Sequence, residues 1–159
     1  MKSKTVAETA LVMTQAMGPQ EVNPAGNVHG GVIMKLIDTA AGVTAIRHAR
    51  TNAVTASIDH VDFLYPAFSG DLVTFKASIN MVGKTSMEIG VKVESENLFT
   101  GEVRHTASAY LTYVALDKSG RPTRVPDLIL ETEDDLRRHQ QALVRRENRL
   151  RAKKEREGN

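Results

Sequence analysis

One stretch limits the fold more than any other: Asn27 to Arg47, NVHGGVIMKLIDTAAGVTAIR. After His29-Gly30-Gly31 it is apolar or small almost all round. Val32, Leu36, Ala40 and Val43 mark one face of a helix, and Ile33, Ile37 and Thr44 lie beside it. A helix that is apolar on most sides is packed on most sides, so the rest of the chain has to surround it. Asn27 reads as its N-cap. Between Val28 and Ile46 the only formal charges are Lys35 and Asp38. A carboxylate there is costly to bury unless something stabilises it, which makes Asp38 the first candidate for chemistry. The plainer reading pairs Asp38 with Lys35, three residues earlier and adjacent on a helix surface. Spacing alone favours the pair.

The remainder reads mostly as strands. Thr5 to Met17 reads as a first strand, with a helix as the alternative, broken by Gly18-Pro19, and a polar loop from Gln20 to Gly26 carries Asn23-Pro24. Beyond the helix, Thr51 to Phe63 alternates, with Val54, Ala56 and Ile58 on one face and Thr55, Ser57 and Asp59 on the other. Leu72 to Val82 sets Val73, Phe75, Ala77, Ile79 and Met81 on one side. Met87 to Glu96 does the same with Met87, Ile89, Val91 and Val93, and Glu102 to Leu116 is a further long strand. Pro122 and Pro126 mark an extended linker. Thr132 to Asp135 supplies caps and first-turn acids for a last helix from about Glu133 to Lys154. Leu136, Leu143 and Leu150 recur along it at sevens, a thin stripe suited to a partner. From Arg145 onward the chain is charged and terminal, and reads as dispensable for the fold.

This order predicts an α+β fold: an antiparallel sheet wrapped around one long central helix, with an extra C-terminal helix. Residues 1–126 form the domain and residues 127–159 a helical basic tail. One sheet with free edges and one covering helix implies oligomerisation.

Composition narrows the function. Of 159 residues, 41% are hydrophobic and 25% charged, as in an ordinary globular domain. There is no cysteine, which excludes disulfides and thiolate chemistry. The start, MKSKTVAETALVMTQAM, lacks the continuous apolar core of a signal peptide. The central helix carries two charges and much Ala, Gly and Thr, against a membrane span. A cytoplasmic protein is expected. The net charge of +2 hides an asymmetry: residues 1–135 hold 12 basic against 16 acidic side chains, and residues 136–159 hold 9 against 3. The basic character lives in the tail. Interleaved aromatics are absent from it, so nucleic acid is not an expected partner. The histidines His48, His60, His105 and His139 show no ligand spacing, and no metal is expected.

Three segments in order carry a resemblance: NPAGNVHGGVIMKLIDTAAG, TASIDHVDFLYP and VGKTSMEIGVKVE. The most specific element is GN-V-HGG followed by an acid seven residues after the second glycine. Together they resemble the hotdog-fold acyl-CoA thioesterases, in particular the cytosolic acyl-CoA hydrolase family, from about Val6 to Val125. The resemblance implies hydrolysis of fatty acyl-CoA to free fatty acid and CoA, with no cofactor beyond the CoA of the substrate. It implies a homodimer with a continuous sheet, and a trimer of such dimers. It reverses the reading of Asp38, which matches the family's catalytic carboxylate. Asn23 matches that carboxylate's partner from the other subunit. Lys84, Thr85 and Ser86 match a turn near the CoA pantetheine and phosphates.

Elementary chemistry agrees with these assignments. Thioester hydrolysis needs an activated water or a nucleophile, and donors for an oxyanion. A partly buried carboxylate can be general base or nucleophile, and sequence does not choose. Backbone N–H groups at a helix start can hold an oxyanion, and Gly30-Gly31 lets substrate approach, with Gly31 the expected donor. His29 is expected in the site wall, with a capping or packing role at the helix start as the plainer reading. The plainer readings are close packing for Gly30-Gly31, a turn residue for Asn23 and a solvated hairpin for Lys84 to Ser86. The alternative function is a non-catalytic CoA-ester binding or regulatory module of the same fold.

Overall fold

A computed structural model describes residues 1–159. The central helix, Gly30–Ala49, begins two residues after the last extended bridge and ends where Arg50 turns left-handed (φ 55°) with its N–H on the Ile46 carbonyl. Its Thr, Val, Ile and Gly content gives it modest helix propensity, so packing has to hold it. Ile33, Ile37, Ala40, Ala41, Thr44, Ala45 and His48 are buried against a sheet. Each fully buried large side chain there contributes about 1.5–3 kcal/mol.

That sheet has five antiparallel strands. In chain order after a two-residue strand β1 (Lys4–Thr5), they are β2 (Leu11–Ala16), β3 (Asn52–Phe63), β4 (Leu72–Val82), β5 (Ser86–Glu96) and β6 (Val103–Leu116), arranged β2-β4-β5-β6-β3. With the short helix α1 (Val6–Thr9) counted first, the central helix is α2. The sheet lays Val73, Phe75, Ala77 and Ile79 of β4, Met87, Ile89, Val91 and Val93 of β5, and Ala107, Ala109, Leu111, Tyr113 and Ala115 of β6 on α2. Alternation fixes this face, since a slip of one residue would turn every side chain outward. No helix is long and apolar enough to cross a membrane.

Four expectations need correction. Thr5 to Met17 is not one strand. Thr5 Oγ1 accepts the Glu8 N–H (3.2 Å) and Glu8 Oε2 accepts the Thr5 N–H (2.6 Å), a reciprocal cap that folds α1 before β2 starts. Asn27 does not cap α2. Its N–H is taken by Asn23 Oδ1 and its carbonyl by the Asn23 N–H, so residues 27–29 stay extended and His29 is the N-cap, without a side-chain bond. Bulges at Ala56 and Asp59 break the alternation of β3, and another at Asn80 turns Met81 away from Ile79, beside Glu88.

The fourth correction concerns the last helix, α3 (Glu133–Glu157), capped by Thr132 and Asp135. Its leucines Leu136, Leu143 and Leu150 are exposed and free for a partner; what needs correction is its end, expected to be dispensable. It lies on the outer face of the sheet through His139, Ala142, Arg145 and Arg149. Arg145 bonds to Glu88, and Arg149 Nη1 to Asp59 at 2.5 Å. The segment beginning at Arg145 is therefore built into the domain. A strand β7 (Leu128–Ile129) pairs in parallel with β1 and leads into this helix.

Candidate active site

Asp38 stands mid-way along α2 and is half-buried. Its Oδ1 accepts two hydroxyl bonds, from Thr55 Oγ1 at 2.7 Å and from Tyr113 Oη at 2.5 Å. The Tyr113 hydroxyl also lies 2.7 Å from the Asp38 carbonyl oxygen. Register brings the two donors together: Thr55 on β3 pairs with Tyr113 on β6, which pairs with Met87 on β5, which pairs with Val82 on β4. Asp38 Oδ2 accepts no bond from any group of the chain. Lys35 is exposed and lies in no ion pair with Asp38, which removes the plainer reading of that carboxylate. Burial, and then the bond to Asp38, push the Tyr113 phenol far above its ordinary value, so it remains a donor throughout the physiological range. Thr55 is exposed, on a strand that is one edge of the sheet, so the carboxylate opens toward that edge.

The helix entry is a second cluster. Neither the Gly30 nor the Gly31 N–H donates to any group of the chain, as expected of the first orphan donors of a helix. A Cβ on Gly30 would sit 3.7 Å from Phe63 Cζ, an ordinary contact, and one on Gly31 would meet nothing within 4 Å. Close packing within the chain therefore explains neither glycine. His29 is exposed beside them. Asn23 Oδ1 accepts the N–H groups of Ala25 (3.0 Å) and Asn27 (3.1 Å), which shapes the loop and leaves its Nδ2 without a partner in the chain. Asn23 does not bond to Asp38 of its own chain.

These two clusters share α2 but not a location. Seven residues at 1.5 Å each put Gly31 and Asp38 about 10 Å apart along the axis. The third candidate group, Lys84, Thr85 and Ser86, forms the β4–β5 hairpin, one step beyond the row of Met87 and Tyr113. Gly83 donates to the Ser86 carbonyl at 2.8 Å, and the Thr85 and Lys84 carbonyls accept from Ala115 (2.9 Å) and Val125 (3.0 Å). The Lys84 ammonium is exposed and free of carboxylate partners.

Thr55 and Tyr113 escaped the sequence reading. Alternation sets Thr55 opposite Ile58, but the bulge at Ala56 brings both to the inner side, paired with Tyr113 and Leu111. Tyr113 carried a usable signal: it falls in the inward register of Leu111 and Ala115, and a buried tyrosine hydroxyl needs a partner.

A sheet wrapped in this way on one long helix is the hotdog fold, and comparison with known proteins gives its class, the acyl-CoA thioester hydrolases. The thioesterase superfamily model matches residues 25–99, from the loop before α2 into the β5–β6 turn. The uncharacterized acyl-CoA thioester hydrolase YkhA of Bacillus subtilis is 40% identical over 147 residues, 92% of this chain and 86% of that one. An apo hexameric acyl-CoA thioesterase of known structure is 39% identical with a TM-score of 0.92, over 96% of this chain and 97% of that one. The acyl-CoA hydrolase of Staphylococcus aureus, solved with butyryl-CoA and CoA, is 33% identical with a TM-score of 0.91, over 98% and 95%. Variants of that enzyme with an aspartate, an asparagine or a threonine replaced by alanine have also been solved. The chain belongs to the hotdog acyl-CoA thioester hydrolases of the thioesterase superfamily.

Proposed function

We propose that the protein hydrolyses fatty acyl-CoA to free fatty acid and CoA at sites shared between two subunits. The observation that carries this is the separation of about 10 Å between Gly31 and Asp38 on one helix. A thioester carbonyl cannot have its oxygen at the Gly31 N–H and its carbon within reach of Asp38 of the same chain. Asn23 and Gly31 of one subunit therefore serve Asp38 of the other. An aspartate and an asparagine of the S. aureus enzyme, replaced by alanine in its solved variants, are residues of the same types.

In this reading Asp38 is general base or nucleophile through its unbonded Oδ2. As base it takes a proton from water, whose oxygen adds to the carbonyl carbon. The Gly31 N–H and the Asn23 amide hold the oxyanion. Collapse breaks the C–S bond, and the CoA sulfur leaves as thiolate and is protonated. His29 walls the site, and Lys84, Thr85 and Ser86 meet the pantetheine and phosphates, a free ammonium suiting a polyanion. No cofactor enters these steps.

Oligomerisation belongs to the same proposal. Met34, Val43 and Ile46 leave an exposed apolar face on α2, and β3 is a 12-residue edge strand with unpaired backbone groups. A dimer through that edge, and a hexamer of three dimers, would cover these surfaces. A cytoplasmic location completes the reading.

The test is release of free thiol from a panel of acyl-CoAs of increasing chain length. Asp38→Asn should lower turnover by roughly a hundredfold or more, the scale of losing an acid–base group, without loss of melting temperature. Thiol release equal to the parent would remove Asp38 from the chemistry, and no release by the parent on any chain length would leave a CoA-ester binding module.

A further inference from the structure

We propose that Tyr113 is the positioning residue of this site: its hydroxyl fixes the Asp38 carboxylate so that Oδ1 is occupied and Oδ2 faces the thioester. The inference rests on Asp38 acting as base or nucleophile and goes beyond it by naming what aims that group.

An aspartate side chain has two rotatable bonds, and one on a helix facing a site mouth has several low-energy orientations. Here one oxygen is held from two strands at once, by Thr55 at 2.7 Å and Tyr113 at 2.5 Å. The two donors differ. Thr55 is exposed on the edge strand, where water can replace its hydroxyl. Tyr113 is 3% exposed on the fourth of five strands, with two-bond rigidity and no water to take its place.

The helix is shaped to receive that ring. Gly42 follows Asp38 by one turn, and a Cβ built there would lie 3.4 Å from the Tyr113 hydroxyl and 3.5 Å from Cε1. The phenol thus rests on bare helix backbone between residues 38 and 42, within 2.7 Å of the Asp38 carbonyl. A donor fixed by the sheet and seated on the helix leaves the carboxylate one orientation.

The experiment compares the parent enzyme with Tyr113→Phe, Asp38→Asn and protein carrying 2,3-difluorotyrosine at position 113. Turnover of a fatty acyl-CoA is followed as kcat and KM, with melting temperature as the control for folding. Phenylalanine keeps the ring and removes the hydroxyl. Its kcat should fall about tenfold with KM little changed, as expected for loss of one charge-assisted bond felt in the transition state. Difluorotyrosine keeps the hydroxyl donor in nearly the same shape, so its kcat should stay near the parent's. Loss of kcat at unchanged KM with phenylalanine, and its retention with difluorotyrosine, are not expected of a ring that only fills space. If Asp38→Asn is inactive while Tyr113→Phe keeps the parent's kcat, Tyr113 has no positioning role. If Asp38→Asn is as active as the parent, Asp38 is not the reacting carboxylate, and the assignment of Tyr113 falls with it.

Discussion

The Arg145 guanidinium holds both oxygens of the Glu88 carboxylate, Nε to Oε1 at 2.7 Å and Nη2 to Oε2 at 3.1 Å, while stacking 3.7 Å above the Tyr110 ring. Glu88 is only 2% exposed. It is carried outward by β5 to a place that only α3 covers.

Removal of Arg145 should therefore be costly. Arg145→Ala strands a buried carboxylate, which destabilises by roughly 3–5 kcal/mol when a buried pair is broken from one side. Truncation before Arg145 should do the same and should also free Asp59. Pairing the change with Glu88→Gln should restore much of the loss, because no charge is then left unpaired. Thermal melting of the three variants checks this. An unchanged melting temperature on truncation would contradict the account of α3.

This relationship shows what the sequence concealed. The charge of the tail was legible, and its leucine stripe is exposed as a partner-facing stripe would be, but the docking of its other face on the sheet was not. That docking runs through two arginines, a histidine and one alanine. The same limit applied at Asp38. The apolar periodicity of β4, β5 and β6 made the sheet legible, and the single acid on an apolar helix made the candidate legible. Its donors were hidden: Thr55 by a bulge, which no alternation rule anticipates, and Tyr113 by pairing across strands distant in sequence. Asn27 looked like a cap because the bonds that keep it extended come from the side chain and backbone of Asn23, through a loop whose shape is not local to the helix.

His48 gives a pH dependence. It is fully buried, its Nε2–H donates to the Pro126 carbonyl at 2.7 Å, and its Nδ1 has no partner. Burial holds its pKa below the ordinary 6.5, partly opposed by the Pro126 bond and assisted by Lys4. The folded state therefore binds a proton less readily than the unfolded chain. Stability from this group is present above the unfolded value and declines as pH falls from there toward the folded one. Melting temperature should drop between pH 7 and pH 5, and in His48→Gln, already less stable at pH 7, the drop should be smaller. An equal slope in both proteins would place the acid sensitivity elsewhere.

Gly31→Ala separates stability from activity. The position has open space in the chain, and alanine is favoured over glycine in a helix by up to about 1 kcal/mol. The fold should keep or gain melting temperature, while thiol release falls because a methyl group stands where the thioester oxygen approaches the N–H. Full activity with a normal melt would take the oxyanion away from Gly31.

The central claim is that Asn23 of one subunit works with Asp38 of its partner. Asn23→Ala and Asp38→Asn chains should each be slow alone. Unfolded together and refolded in equal amounts, they form mixed dimers that contain one intact site and one doubly altered one. In a two-fold dimer with random pairing, activity should recover to roughly a quarter of the parent's. Mixed dimers confirmed by native mass spectrometry but no more active than the separate variants would show that the two residues do not act across the interface.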